Sequence, residues 1–148
     1  MSTRRKQERS PLQVAVGLLS RREHSARDLK RKLHARGVET EQADAALQRL
    51  QEVGLQDETR FAESLIRQRV AAGYGPRYIR AELGTHALDE TIIDQVMAEA
   101  EVDWQEVAAD LISRRFGDQF DDPKQRRRAQ SLLMRRGFDA EITRSVLG

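Results

Sequence analysis

The sequence predicts an all-α protein, built as an elongated and curved tandem array of three three-helix repeats. Residues that favour helices, chiefly Leu, Ala, Glu and Arg, are abundant among its 148 residues, whereas aromatic residues, which favour strands, make up only 5%. Charged residues make up 34% and hydrophobic residues 39%, a balance that suits amphipathic helices around thin cores. The third observation is an internal repeat with a period of 50 residues.

The repeat appears when the chain is compared with itself at an offset of 50 residues. Leucine then coincides at Leu33, Leu83 and Leu133. A small residue, a hydrophobic residue and an acid follow as Gly37-Val38-Glu39, Ala87-Leu88-Asp89 and Gly137-Phe138-Asp139. Units of this size are too small to fold alone and stack on their neighbours. We therefore expect a flexible basic tail at 1–9 and helical repeats at 10–56, 57–102 and 103–148, in one continuous array.

The first helix of each repeat is expected at about 12–22, 58–71 and 104–116. Each follows a residue suited to cap it, because the Ser and Asp side chains at Ser10, Asp57 and Asp103 accept hydrogen bonds from first-turn N–H groups. In the second of these helices an apolar face is formed by Phe61, Ala62, Leu65 and Ile66.

The second helices are expected to follow Ser25, Gly75 and Asp122, and in two of them proline takes the first helical position. They should end near Gly37, Gly84 and Gly137, where glycine adopts a left-handed conformation. The third helices, at about 40–53, 89–101 and 139–147, begin beside acidic residues that favour the positive end of the helix dipole.

Basic residues recur beside the apolar face of each second helix, and we take them as the candidate contact surface. They are Arg27, Lys30 and Arg31 in the first repeat, Arg77 and Arg80 in the second, and Arg127 and Arg128 in the third. Stacking of the repeats would join the three faces into one long basic surface. Guanidinium groups make bidentate contacts with carboxylates and with phosphates. The pattern therefore indicates an elongated anionic partner, either nucleic acid or an acidic protein surface.

Charge is separated along the chain although the net charge is only +2. Residues 1–36 carry 11 basic and 3 acidic side chains, a balance of 11 − 3 = +8, whereas residues 87–110 carry 8 acids and no Lys or Arg, a balance of −8. Separation of this kind gives a basic surface that attracts polyanions despite the small total.

Several functional classes are disfavoured by the composition. The chain has no cysteine, which excludes disulfides and thiolate chemistry. His24, His34 and His86 lack paired-ligand spacing, so we expect no metal and no cofactor. No acid or nucleophile stands in a catalytic constellation, and we expect a protein that is not an enzyme. Without a long apolar run or a secretory signal, we expect a soluble cytoplasmic protein with no membrane contact.

The chain resembles the RecX family of bacterial regulators of the RecA recombinase. The resemblance rests on 18–29 and Gly37-Val38, on 54–62, and on the segments Arg67 to Gly75-Pro76 and Ile79 to Leu83. Two departures are mild: Ala87-Leu88 stands where the family commonly has Gly-Ile, and Asp28 where glutamate is usual.

The resemblance implies a three-repeat protein that lies in the groove of the RecA filament and restrains filament extension, ATP hydrolysis, strand exchange and cleavage of the SOS repressor. We expect a monomer. Weak non-specific contact with DNA is also expected. Two other classes remain open. One is a DNA-binding protein that resembles helix-turn-helix proteins, with the helix that runs from Arg27 to Arg36 as its recognition helix. The other is a basic helical scaffold that docks acidic proteins.

Overall fold

The computed structural model describes residues 9–118 and 121–148. Within these residues the chain forms nine α-helices and no strand, which confirms the predicted all-α class. Of the predicted tail, residues 1–8 lie outside the described part of the chain. Three triplets follow one another. The first triplet is α1 (Pro11–Leu19), α2 (Ala26–Ala35) and α3 (Thr40–Glu52); the second is α4 (Glu58–Ala71), α5 (Pro76–Thr85) and α6 (Glu90–Glu99); the third is α7 (Trp104–Phe116), α8 (Pro123–Arg135) and α9 (Ala140–Leu147).

The chain divides into two compact units within α4, the first ending at Phe61 and the second beginning at Ala62. The first unit is built around a core of small and branched aliphatic side chains from α1, α2 and α3. The buried members are Ala15, Leu29, Leu33, Ala43, Leu47 and Leu50. Each buried leucine contributes about 1.5–3 kcal/mol relative to an exposed one, so these few residues account for much of the unit's stability.

The second unit contains the rest of α4 and the helices up to α9. Its third triplet has a buried cluster of Ala108, Leu111, Ile112, Ala129, Leu132, Leu133, Phe138 and Leu147. Trp104 packs against this cluster and is partly buried. In the second triplet Ile79, Leu83, Ile93 and Val96 are buried. The predicted apolar face of α4 is confirmed, because Phe61, Ala62, Leu65 and Ile66 are all buried.

Side-chain caps at the helix starts agree with the sequence. The Ser25 hydroxyl accepts a hydrogen bond from the Asp28 N–H, and the Asp57 carboxylate accepts one from the Arg60 N–H at 2.9 Å. Asp103 caps α7 in the same way through the Glu106 N–H. Such caps satisfy first-turn donors that have no partner inside the helix.

One predicted helix end and one predicted left-handed residue were wrong. Helix α1 ends at Leu19 rather than near residue 22, because the Ser20 hydroxyl donates to the Gly17 carbonyl at 2.7 Å and the chain turns away to bury His24 and Ser25. Helix α5 ends at Thr85, next to Gly84 as predicted, but Gly84 lies within the helix and is not its left-handed residue. The left-handed residue there is Ala87, with φ of 55°, at the repeat position that Gly37 and Gly137 occupy in the other triplets.

A close backbone contact joins the second and third triplets within the second unit. The Gly75 N–H donates to the Arg136 carbonyl at 2.6 Å, and the Arg77 N–H donates to the Gly137 carbonyl at 3.1 Å. A Cβ atom on Gly75 would lie 2.6 Å from the Gly137 carbonyl carbon, so no side chain fits there. The Arg136 guanidinium lies 4.4 Å from the centre of the Tyr74 ring and donates to the Ala72 carbonyl at 2.8 Å. This contact fixes the start of α5 against the end of α8.

Candidate functional site

The seven basic residues proposed from the sequence lie on α2, α5 and α8, as predicted. Six of them are exposed, and Lys30 is half-buried. Arg27 and Arg77 are each the second residue of their helix, whereas Arg127 is the fifth residue of α8 because that helix begins earlier, at Pro123. Whether the three basic faces join into one surface stays a prediction.

Two of the seven residues are held by the third helix of their own triplet. The Lys30 ammonium lies 2.8 Å from the Asp44 carboxylate of α3. The Arg80 guanidinium lies 2.6 Å from the Asp94 carboxylate of α6. Both pairs are separated by 14 residues and stand at the same repeat position. The repeat therefore reproduces an ion pair between its second and third helices.

Arg31 is held within α2 by Asp28, which also lies 3.5 Å from the Lys32 ammonium. Burial by itself raises the pKa of Asp28, but the hydrogen bond from Arg31 and the charges of Lys32 and Arg31 outweigh it, and the pKa is lowered from 3.8. The Asp28 carboxylate is therefore ionised at neutral pH and neutralises part of the basic face of α2.

The third triplet lacks the equivalent ion pair. Gln130 stands where Lys30 and Arg80 stand in the first two triplets, and Arg144 replaces Asp44 and Asp94. Within the described residues no carboxylate forms an ion pair with Arg127 or Arg128, and the same is true of Arg77. These three guanidinium groups are exposed and available to an external anion.

A buried polar cluster positions the start of α2. The His24 ring is 2% exposed; its Nδ1 donates to the Arg22 carbonyl at 3.1 Å, and its Nε2 lies 2.8 Å from the Lys32 ammonium, which donates to it. Glu58 accepts from the Ala26 N–H at 2.7 Å, and the Gln56 amide donates to the His24 carbonyl. Desolvation lowers the pKa of His24 from 6.5, despite the Arg22 hydrogen bond that raises it. The ring is therefore neutral at neutral pH and accepts the Lys32 hydrogen bond.

Asp44 and Asp94 were not predicted as partners of the basic residues, although the 14-residue spacing in two repeats is a signal that finds them. Arg69 lies near the end of α4, and its guanidinium donates to Glu82 of α5 at 2.8 and 2.9 Å. This hydrogen bond raises the pKa of Arg69 above its usual high range, so Arg69 stays charged and its contact with Glu82 ties α4 to α5.

The exposed cations of the second helices are suited to binding anions. Among the described residues no three or more His, Asp or Glu side chains gather as metal ligands. No helix in the same part of the chain has the length and apolar character needed to span a bilayer. Exposed guanidinium groups bind carboxylates and phosphates through charge-assisted hydrogen bonds.

Models of known protein families match three consecutive segments of the chain. Models described as the first, second and third three-helix domains of RecX match residues 12–50, 57–97 and 101–147. The chain belongs to the RecX family. This confirms the resemblance stated from the sequence, and the three matched RecX domains correspond to the three triplets.

Relatives support the same assignment over nearly the whole chain. The regulatory protein RecX of Stenotrophomonas maltophilia strain K279a is 56% identical over 95% of this chain and 87% of its own. The protein of the same name from Xanthomonas campestris pv. campestris strain B100 is 55% identical, over 95% of this chain and 88% of its own. The crystal structure of RecX from Lactobacillus salivarius has the same fold, with a TM-score of 0.74, 18% identity, and coverage of 93% of this chain and 92% of that one.

Proposed function

We propose that the protein is a negative regulator of the RecA recombinase that binds the RecA–DNA filament in its groove. It limits filament extension, ATP hydrolysis, strand exchange and the SOS co-protease activity, and so acts in DNA recombination, DNA repair and the SOS response. It acts in the cytoplasm as a monomer, and it is a binding protein rather than an enzyme. Membership of the RecX family, whose relatives are named regulatory proteins, carries this proposal.

The charges of the second helices support an anionic partner. Arg77 is the second residue of α5, where a cation opposes the positive end of the helix dipole by about 0.3–1 kcal/mol. It is exposed, and no described carboxylate neutralises it. Arg77 therefore does not stabilise its own helix, and binding to an external anion accounts for its position. The proposed contact surface also includes six other basic residues: Arg27, Lys30, Arg31, Arg80, Arg127 and Arg128.

The deciding experiment is RecA-catalysed ATP hydrolysis on single-stranded DNA, with this protein added from well below the RecA concentration upwards. We expect inhibition at substoichiometric amounts, because a protein that blocks filament extension affects many RecA subunits at once. Inhibition that appears only when the protein rivals the DNA sites would instead indicate electrostatic competition. No inhibition would favour a basic scaffold for acidic proteins, and tight sequence-specific binding to duplex DNA would favour the helix-turn-helix alternative.

The contact surface is tested by reversing two of its charges. The double variant Arg77→Glu/Arg127→Glu should bind the filament more weakly while its far-UV circular dichroism remains unchanged, because both side chains are exposed. Unchanged filament binding would exclude these two residues from the contact surface without affecting the family assignment.

A further inference from the structure

A basic groove runs between the last turn of α7 and the outer face of α8, entirely within the second unit. Its volume is about 970 Å³. Five cations and one aromatic side chain line it: Arg115 and Phe116 from α7, and Lys124, Arg127, Arg128 and Arg135 from α8. All five cations are exposed, and Phe116 is partly buried against the core of the third triplet.

No acid offsets these charges among the described residues of the groove lining. None of the five cations forms an ion pair within the described part of the chain. Helix α8 itself contains five basic residues and no acidic residue over its 13 positions. Concentrating so many like charges is unfavourable for the free protein, and an external polyanion would relieve this repulsion.

We propose that this groove binds the phosphate backbone of a single strand of DNA. The inference deepens the proposed function and rests on it, because it separates the DNA contact from the contact with RecA. On α8, Lys124, Arg128 and Arg135 are spaced four and seven residues apart and lie along one side of the helix. They span about 16 Å at 1.5 Å per residue, a length that follows several consecutive phosphates.

The lining of the groove favours a single strand over a duplex. Proteins that bind single strands combine a positively charged groove that follows the backbone with aromatic side chains on which bases stack. Five cations and Phe116 supply these two parts here. Phe116 also offers an aromatic surface to an unpaired base, and such stacking does not depend on sequence.

Fluorescence anisotropy with a labelled oligothymidylate, in the absence of RecA, tests the proposal. The double variant Lys124→Glu/Arg135→Glu changes two groove residues that lie outside the contact surface proposed above, and it should weaken binding at least about tenfold at moderate salt. The slope of log K against log salt should be shallower by about 1.4, since each lost phosphate contact removes about 0.7 from a single-strand slope. The conservative variant Lys124→Arg/Arg135→Lys keeps both charges and should keep the slope.

The matched control is Arg21→Glu/Arg22→Glu, which changes the net charge equally at two exposed residues of the first unit. It should weaken binding less than about threefold, because only long-range attraction is reduced. Equal losses for the two double variants would overturn the groove as a site. A loss for a duplex equal to that for the single strand would overturn the choice of ligand.

Two further measurements separate the occupants and the two proposals. Polyglutamate of equal charge should compete poorly with the oligonucleotide, and equal competition would indicate an acidic protein as the occupant and overturn the proposal. RecA ATPase inhibition is measured on the same variants. Loss of oligonucleotide binding with inhibition retained supports the groove as a DNA site distinct from the RecA contact. Unchanged oligonucleotide binding would overturn the groove as a DNA-binding site, whether or not inhibition of the RecA ATPase is retained.

Discussion

Helices α2 and α8 occupy the same place in their triplets but differ in how their charges are balanced. In α2, Asp28 is paired with Arg31 and Lys32, and Lys30 is paired with Asp44 of α3. Helix α8 has no acidic residue, and its neighbour α9 carries Arg144 where α3 carries Asp44. The buried positions of the two helices match, since Leu33 and Leu133 are 1% and 0% exposed.

The difference shows which properties of the repeat are constrained by folding. Replacing a buried leucine costs several kcal/mol, whereas an exposed ion pair contributes about 0.2–1 kcal/mol. The buried hydrophobic positions therefore recur from triplet to triplet, whereas the exposed charges can differ between triplets. The first triplet neutralises much of its basic face, and the third leaves its basic face to external anions.

The largest expected effect tests the part that α2 and α8 share. Leu33→Ala and Leu133→Ala should each lower the free energy of unfolding by about 2–5 kcal/mol, because both leave a cavity in a closed core. Urea denaturation followed by circular dichroism measures the loss. Met134→Ala, at a residue that is 70% exposed, should change stability by less than about 0.5 kcal/mol. A loss below about 1 kcal/mol at either leucine would show that the two cores are not equivalent.

The second prediction compares the glycines that follow α2 and α8. Gly37 and Gly137 have φ of 84° and 92°, and alanine in this left-handed region costs about 1–2 kcal/mol. A Cβ at Gly37 would meet nothing within 4 Å, whereas a Cβ at Gly137 would collide with the Tyr78 backbone. Gly137→Ala should therefore lower the melting temperature clearly more than Gly37→Ala. Equal shifts would contradict the close contact between the second and third triplets.

The third prediction concerns pH and applies to the first unit alone. The pKa of His24 is lowered from 6.5 by burial. Between the two pKa values His24 is therefore protonated in the unfolded chain and neutral in the folded chain. The contribution of neutral His24 to the free energy of unfolding should therefore be complete above pH 6.5. It should be lost as the pH falls from 6.5 towards the lowered pKa. Thermal unfolding measured across this range should show the decrease in the wild type and a weaker one in His24→Gln.

His34→Gln provides the control for this pH effect. His34 is also on the first unit but is exposed, and its replacement should leave the pH dependence in place. If His24→Gln and His34→Gln both retained the full dependence, the buried cluster at the start of α2 would not be its source.

The smallest expected effect on stability concerns the ion pairs between the second and third helices of a triplet. Asp44→Asn and Asp94→Asn should each destabilise the fold by about 0.2–1 kcal/mol, because both pairs are largely exposed to solvent. Installing the pair in the third triplet, with Gln130→Lys/Arg144→Asp, should stabilise it by a similar amount. Thermal unfolding detects the shifts, and a double-mutant cycle on Lys30 and Asp44 isolates the interaction. A coupling above about 2 kcal/mol would mean that the pair supports the fold rather than tuning surface charge.

Most of the helical architecture was predictable because it depends on local chemistry. Capping residues such as Ser25, Asp57 and Asp103 mark helix starts through hydrogen bonds to their own first turn. The end of α1 was predicted three residues too late because the turn depends on burial of His24 and Ser25, which the local sequence does not reveal. Gly84 was mistaken for the left-handed residue after α5 because glycine preference outweighed the repeat register, which points to Ala87.

The sequence by itself determined the nine-helix pattern of the described chain, the buried leucine positions and the basic character of the second helices, because hydrophobic periodicity and capping act over a few residues. Only the tertiary structure decided which cations are neutralised. Lys30 and Arg80 meet carboxylates 14 residues away on another helix, and Gly75 meets Gly137 across 62 residues. Such contacts depend on how helices pack, and the same packing leaves Arg127 and Arg128 beside Arg115 in an uncompensated basic groove.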